Sequence, residues 1–305
     1  MRILVVGAGG VGGYFGGKLA HAGVDTTFLV RGATLEALQT RGLRVESTHG
    51  DFTVDNVNTR AHGVYDAILM TVKSWQIPEA ASQLGPMIGP DTVVVPLENG
   101  IDAPDVLAEM FGRDHVLGGL CGIVSFVVAS GHIRHIAAEP FVMFGELDNR
   151  RSQRAEQLRA AFERAGVKAD IPPDILHSLW TKFLFIATMS AVGALTRVPI
   201  GVWRAIPEVR AIAEQSVREV IALAGARGID LGDDAFERTM ERYDNLAPES
   251  TSSLQRDVME GKPSELDAQI GAVVRLARES GVAAPVSEML YHCLLPQERR
   301  ARGAV

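Results

Sequence analysis

The segment RILVVGAGGVGGYFGGKLAHAG, residues 2–23, decides the fold of the first half of the chain. Its β-branched and leucine side chains at residues 3–6 predict a buried strand, and the glycines that follow predict a tight turn. Gly7, Gly9 and Gly12 have the spacing G-x-G-x-x-G, and the turn leads into a helix that is predicted to end at Gly23. A strand, this turn and a helix in that order form the dinucleotide-binding fingerprint.

Each part of the fingerprint has a physical role. The first glycine permits the tight turn, the second lets a pyrophosphate approach the backbone, and the third lets helix and strand pack closely. The start of the helix offers free N–H groups and the positive end of its dipole to phosphates. A glycine-rich turn without a ligand is the alternative, but the strand–turn–helix order favours a cofactor site.

Further β-branched runs at residues 26–30, 67–72 and 92–96 alternate with helical stretches, which predicts a parallel sheet. Residues 118–129, 133–136 and 141–145 lack intervening helices, so we expect them to finish that sheet as a meander. A helix over residues 152–165 closes this half. Pro172 and Pro173 can continue neither a helix nor a central strand and mark a domain boundary.

Beyond the two prolines the pattern is helical. Asp174 can cap a long apolar helix, Pro207 suits the first turn of another, and Ser264-x-x-Asp267 resembles a capping box that opens a third. The tail from Gln297, which is rich in arginine, is expected to be solvated and to fray. The sequence therefore predicts an α/β Rossmann-type domain over residues 1–171, followed by an all-α domain over residues 172–305.

Composition restricts the class of partner. A formal net charge of −7 and a pI near 5.7 disfavour binding to nucleic acid or to anionic lipid. Two cysteines, Cys121 and Cys293, are too few for a disulfide framework and indicate a reducing, cytoplasmic setting. The apolar stretch 175–196 contains charge and is expected to be a core helix rather than a membrane span. His132 and His135 lack an evident third ligand, so no metal site is expected.

Charged and polar residues follow the predicted strands at the edge where open α/β sheets bind ligands. Arg31 stands where an NAD-specific site has an acid, and its planar guanidinium suits the 2′-phosphate of NADP; a solvated loop arginine is the alternative. Lys73 and Asn99 follow the next two strands. Asn99 precedes a glycine and could equally be a turn residue.

Two ionisable residues are candidates for catalysis. Lys182 is the only formally charged residue between Asp174 and Arg197 and has apolar neighbours. Such surroundings disfavour the ammonium form and suit a proton donor, although a lysine whose head reaches solvent explains the position equally well. Glu265 lies in the presumed helix cap, where an acid is favourable against the dipole whether or not it does chemistry.

Over nearly its whole length the chain resembles the ketopantoate reductase (2-dehydropantoate 2-reductase) family. Several ordered motifs carry this resemblance, each weak alone and specific together. They are the N-terminal glycine motif with Arg31, Thr71-Val72-Lys73-Ser74-Trp75, Glu98-Asn99-Gly100, Leu179-Trp180-Thr181-Lys182, and Ser252-Ser253-Leu254-Gln255 followed by Ser264-Glu265-Leu266-Asp267.

The resemblance implies reduction of the 2-oxo acid ketopantoate to pantoate by NADPH, a step of pantothenate and coenzyme A synthesis. It makes Lys182 the general acid and Glu265 its partner or the ligand of a substrate hydroxyl. Asn99 would face the nicotinamide ribose and the substrate, and Ser253 would help to hold the substrate carboxylate. Arg31 and Lys73 would lie near the adenosine phosphate of NADP, where Lys73 joins Arg31 as a cofactor-binding residue.

One departure from the family pattern concerns the substrate. Better-known members have asparagines four and eight residues after the catalytic lysine, where this chain has Ile186 and Ser190. Ser190 can still bind substrate through its hydroxyl, whereas Ile186 cannot hydrogen-bond. Reduction of a more apolar 2-oxo acid, and a catalytically silent NADP(H)-binding protein, stay as alternatives. The sequence leaves the oligomeric state open, a homodimer included.

Overall fold

The computed structural model describes residues 1–304, without the side chain of residue 138. They divide into two compact units. The first contains residues 1–98 and 103–175, and the second contains residues 99–102 together with the chain from Leu176 onward. The change of unit at residue 175 lies close to the paired prolines, and the short segment 99–102 packs with the helical unit although it follows a strand of the first.

The first unit is built from alternating strands and helices. In chain order they are β1 (Arg2–Val6), α1 (Gly10–His21), β2 (Asp25–Leu29), α2 (Gly32–Arg41), β3 (Leu43–Ser47), β4 (Phe52–Val54), β5 (Tyr65–Met70), α3 (Ile77–Ala81), β6 (Ile88–Pro96), α4 (Ala103–Phe111), β7 (Leu117–Ala129), β8 (His132–Glu146), α5 (Gln153–Arg164) and β9 (Lys168–Asp170).

The first sheet has the order β2-β1-β5-β6, and all its strands are parallel. Residues 3–6 of β1 are buried, as a strand covered on both faces requires. The predicted parallel sheet and the strands assigned to it are confirmed. Because the strands are parallel, the turn after β1, the segment after β2 and the segment after β5 all leave at one edge of this sheet.

The predicted meander is wrong. Strands β7 and β8 form one long antiparallel hairpin that belongs to a second sheet, of order β4-β3-β8-β7 with β9 beside β8. The runs 133–136 and 141–145, predicted as two separate strands, are both parts of β8, which contains Pro140. Shifts of register near Val124 absorb the irregularity, so the strand continues past the proline as a bulged strand can.

Helix α1 packs between the two sheets. Its glycines replace side chains at the points of contact: a Cβ at Gly16 would lie 2.8 Å from the ring of Phe28 in the first sheet, and one at Gly13 would lie 2.6 Å from Ile133 in the second. The closest approach is at Gly12, where a Cβ would lie 2.2 Å from both the carbonyl oxygen of Gly7 and Oγ1 of Thr71. Only glycine fits there.

In the described part of the second unit every regular element is a helix, as predicted. Its helices are α6 (Ile175–Thr196), α7 (Ile200–Trp203), α8 (Pro207–Ala226), α9 (Ala235–Asn245), α10 (Ser253–Met259), α11 (Ile270–Ser280) and α12 (Pro285–Ala301).

Helix α6 is long and apolar enough to span a membrane, but 72% of its most apolar window is buried in the structure. This burial is typical of the core helix of a soluble protein. The first N–H of α6, on Ile175, donates to Oδ1 of Asn149 at 3.0 Å. Pro207 occupies the first turn of α8, as predicted.

Two predictions about this unit are wrong. No helix opens at Ser264. Its hydroxyl donates to Glu298 and accepts from the N–H of Leu266 at 3.3 Å, but the segment that follows is a turn and α11 begins only at Ile270. The tail from Gln297 does not fray as a whole: α12 continues to Ala301, and the side chain of Glu298 is 2% exposed. Partners distant in sequence override both local signals.

We predict that Gly12→Ala lowers the free energy of unfolding by about 1–3 kcal/mol or more, because overpacking of a close contact forces the backbone apart. Urea denaturation measures the change. Gly9→Ala is the control, since a Cβ at Gly9 would meet nothing within 4 Å. Equal stability of the two variants would contradict the close approach.

Candidate active site

The glycine turn after β1 has the shape that a dinucleotide requires. Gly7 has φ +95°, a conformation that favours glycine, and its N–H donates to the carbonyl of Leu29 at 3.0 Å. Gly9 borders open space and precedes the first residue of α1 without a side-chain cap, and the first turn of α1 contains no acid. The first N–H groups of α1 are therefore not capped by a side chain. A diphosphate fits this turn electrostatically and sterically.

Arg31 directly precedes α2 and is 70% exposed. Its guanidinium forms an ion pair with Glu79 of α3, with a second contact of 3.4 Å between Nη2 and Oε2. The hydrogen bond to Glu79 and the attraction between the charges raise the pKa of Arg31, and the same interactions lower the pKa of Glu79. Nothing in the sequence pattern pointed to Glu79.

Lys73 begins the short turn that leads into α3. Its Nζ lies 5.9 Å from the centroid of the Trp75 ring, which is within the range of a cation–π contact. Arg31 and Lys73 thus follow β2 and β5, the two strands that pair with β1, at the edge where the glycine turn lies. The first unit therefore brings the cofactor-binding candidates of the sequence to one edge of one sheet.

The remaining candidates all belong to the second unit. On α6, Lys182, Ile186 and Ser190 follow at intervals of one turn and share a face of the helix. Lys182 and Ile186 are half-buried, whereas Ser190 is fully buried. Among residues 1–304, Lys182 has no ion-pair or hydrogen-bond partner. An ammonium group so placed is available to a ligand.

Glu265 lies in a turn between α10 and α11 and is 5% exposed. The carbonyl of Glu265 accepts from the N–H of Gln269 at 3.1 Å. The preceding residue, Ser264, donates its N–H to both carboxylate oxygens of Glu298 at 3.0 Å and its hydroxyl to Oε2 at 2.5 Å. Arg302 completes the cluster, since it donates to Oε1 of Glu298 at 2.6 Å and to the Ser264 carbonyl at 3.0 Å. Residues of the C-terminal helix therefore fix the turn that carries Glu265.

The segment with Asn99 packs against the same turn. Gly100 has φ +121°, and a Cβ there would lie 2.6 Å from the carbonyl oxygen of Ala268. Asp102 forms an ion pair with Arg275 of α11. The structure thus places the Asn99 segment beside the turn of Glu265, and Asn99 itself is half-buried. Asn99 precedes a left-handed glycine, so the turn interpretation and a binding role are compatible.

Ser253 is the first residue of α10 and is half-buried. The N-cap is its neighbour Ser252, whose hydroxyl accepts from the N–H of Gln255 at 3.0 Å. Gln255 packs on α6 where Gly193 leaves room, and its Nε2 donates to the Val198 carbonyl at 3.0 Å. Helix α10, and Ser253 with it, is therefore anchored against the helix that carries Lys182 and Ser190.

Buried polar atoms without a partner are a further feature of this unit. Within the described residues, the hydroxyl of Ser190, the hydroxyl of Thr181 and both amide atoms of Gln269 are buried and form no hydrogen bond. Each such group costs about 1–3 kcal/mol unless water or a ligand satisfies it. The sequence did not single out Gln269, because a glutamine near the start of a helix is common and its burial is visible only in the structure.

Comparison with known proteins agrees with both halves of the chain. Residues 3–149 match the family model described as ketopantoate reductase PanE/ApbA, and residues 174–298 match the model of its C-terminal domain. The chain belongs to the ketopantoate reductase family. The family assignment predicted from the sequence motifs is confirmed.

Individual relatives cover almost the entire chain. The uncharacterised oxidoreductase YkpB of Bacillus subtilis is 32% identical over 295 residues, which are 95% of this chain and 97% of YkpB. The 2-dehydropantoate 2-reductase of a Nostoc species is 30% identical over 302 residues, covering 96% of this chain and 94% of that protein. The crystal structure of 2-dehydropantoate 2-reductase from Geobacter metallireducens superposes with a TM-score of 0.90 at 29% identity, over 97% of this chain and 99% of that one.

Membership in the ketopantoate reductase family confirms the predicted fold class and an oxidoreductase that reduces 2-oxo acids with a nicotinamide cofactor. The fold of both units agrees with the α/β domain and the helical domain of the family.

We predict that Glu298→Ala lowers the free energy of unfolding by about 3–5 kcal/mol, because it leaves a buried serine and an arginine without their acceptor. Turnover should fall as well, since the turn of Glu265 loses its anchor. Glu288→Ala is the matched control, because Glu288 lies on the same helix in an exposed pair with Arg278 and should change stability by less than about 1 kcal/mol. If Glu298→Ala were as stable and as active as Glu288→Ala, the hydrogen bonds of Glu298 would not fix the turn that carries Glu265.

Proposed function

We propose that the protein reduces ketopantoate to pantoate with NADPH, within pantothenate and coenzyme A synthesis in the cytoplasm. When bound at the glycine turn, NADPH supplies a hydride to the carbonyl carbon of the 2-oxo acid. Two free cysteines, Cys121 and Cys293, suit a reducing compartment. Arg31 and Lys73 suit a cofactor with a 2′-phosphate, since both are cationic and Arg31 offers a planar fork.

The observation that carries this proposal is the setting of Lys182. It is a half-buried ammonium on a core helix, without a partner in residues 1–304, at the family's catalytic position. As the carbonyl carbon gains a hydride, its oxygen gains negative charge, and Lys182 donates a proton to that oxygen. The positive charge also stabilises the developing alkoxide before the proton moves.

The other candidates hold the substrate in this scheme. Glu265 accepts from a substrate hydroxyl or supports Lys182, and Asn99, on the segment beside it, faces the substrate and the nicotinamide ribose. Ser253, at the start of α10, donates to the substrate carboxylate. Ser190 lies on the same face of α6 as Lys182 and is fully buried. We therefore assign it a weaker role, in which its hydroxyl forms a hydrogen bond with a polar group of the substrate. These residues share one unit, and this supports their acting on one substrate.

A second candidate is the same reaction on a more apolar 2-oxo acid, and Ile186 favours it. Its half-buried side chain lies one turn beyond Lys182 and presents methyl groups where the family has an amide. A buried polar group of ketopantoate without its partner would cost about 1–3 kcal/mol. An apolar substrate side chain would instead gain contact area there.

The first test is turnover of NADPH with a panel of 2-oxo acids that includes ketopantoate and branched apolar acids. We expect Lys182→Ala to lower turnover by about 10²–10⁴-fold, because this is the usual contribution of general acid catalysis. Binding of NADPH should stay nearly intact. Lys262→Ala is the control, since Lys262 is an exposed lysine of the same unit. Near-normal turnover in a folded Lys182→Ala protein would contradict the assignment, and NADPH binding without turnover of any acid would favour a silent binding protein.

The second test separates the two substrates. If ketopantoate is the substrate, Ile186→Asn should leave kcat/KM for ketopantoate unchanged or raise it. If the pocket suits an apolar acid, the same change should lower kcat/KM for that acid by the equivalent of about 1–3 kcal/mol, which is the effect of one misplaced group in a pocket. Leu195→Asn, a half-buried change on the same helix, controls for loss of packing. Equal losses for both acids would show that Ile186 is simply a packing residue.

A further inference from the structure

The contact of Arg31 with Glu79 occupies the guanidinium on which the proposed cofactor preference depends. Both Nη atoms of Arg31 approach the carboxylate, one to each oxygen. A 2′-phosphate would use the same donors, because a guanidinium binds carboxylate and phosphate with the same fork. Within the described residues, Glu79 is the only ion-pair partner of Arg31.

The position of Glu79 also matters. Arg31 follows β2, Glu79 lies on α3 after β5, and both strands pair with β1, so the ion pair spans the exit of β1. The sequence has no acid between Asp25 and Glu36, hence none at the exit of β2. An acid there is the usual feature that favours NAD, because it binds ribose hydroxyls and repels a phosphate. Glu79 brings a carboxylate to this place from a different strand.

We propose that Glu79 is a cofactor-discriminating residue, which competes with the 2′-phosphate of NADPH for Arg31 and so narrows the preference for NADPH over NADH. This inference rests on the proposed role of Arg31 toward NADP. NADPH must displace the carboxylate from the guanidinium and also meets its negative charge. NADH has a hydroxyl at that position, so its binding does not require the pair to open.

The pair is exposed, which sets the size of the effect. The side chains are 70% and 61% exposed, so solvent and salt screen the interaction. We therefore expect Glu79→Gln to lower the dissociation constant of NADPH by about threefold to tenfold at low salt, the scale of one exposed ion pair together with a nearby like charge. The dissociation constant of NADH should stay within about twofold of the wild-type value, because a neutral ribose hydroxyl does not compete with Glu79 for Arg31.

The test is titration of each cofactor by its change in fluorescence, without substrate, in the wild type, Glu79→Gln, Arg31→Ala and the double variant. Glu163→Gln is the matched control, since Glu163 forms an exposed pair with Arg159 in the same unit. A melting curve of each variant shows that it is folded. We expect the gain for NADPH in Glu79→Gln to fall below about twofold in the Arg31→Ala background, because the two residues act on one phosphate.

Unchanged or weaker NADPH binding in Glu79→Gln would overturn the inference, and so would equal tightening of both cofactors or a full gain that persists without Arg31. Failure of the proposed function has a different signature. It appears as an Arg31→Ala variant that weakens NADPH and NADH equally, or as NADPH binding with no turnover of any 2-oxo acid.

Discussion

The close approach of α1 to the turn after β1 is the constraint on which the first unit depends. Gly12 leaves no room for a Cβ between the helix, the Gly7 carbonyl and Thr71. The hydroxyl of Thr71 lies within hydrogen-bond distance of the carbonyls of Val6 at 2.8 Å and Gly7 at 3.0 Å, so the exit of β5 is tied to the exit of β1. This contact brings the glycine turn, the start of α1 and the segment that leads to Lys73 to one edge of the sheet.

In the second unit, buried carboxylates fix the two ends of the C-terminal helix. Both ends of α12 are anchored by one: Glu219 accepts from the N–H groups of Val286 and Ser287 at 3.0 and 2.8 Å, and Glu298 binds Ser264 near the other end. Because a buried carboxylate is costly without donors, each fixes the segment that supplies them. The turn of Glu265, and the Asn99 segment that packs on it, take their position from this anchoring. Glu298, a residue of the tail, therefore helps to position the turn that carries the candidate residue Glu265.

Local signals in the sequence predicted the parts of the structure that depend on local forces. The glycine motif, the parallel strands and Pro207 at the start of α8 all follow from near neighbours, and the lysine in an apolar helix was visible as an isolated charge. Contacts between residues distant in sequence were not predicted. Ser264 has the sequence of a cap, but its hydroxyl binds Glu298, 34 residues away, and Arg31 binds Glu79, 48 residues away. Such partners have no signature in a single sequence, because neither the spacing nor the residue type specifies them.

The central claim, hydride transfer from NADPH to a 2-oxo acid, is tested most directly by following the hydrogen itself. NADPH that carries deuterium at the transferred position of C4 is mixed with the enzyme and ketopantoate, and the product is analysed by mass spectrometry and NMR. The account predicts one deuterium bonded to C2 of pantoate for each NADPH consumed. Consumption of NADPH with unlabelled pantoate, or with deuterium released to water, would contradict it.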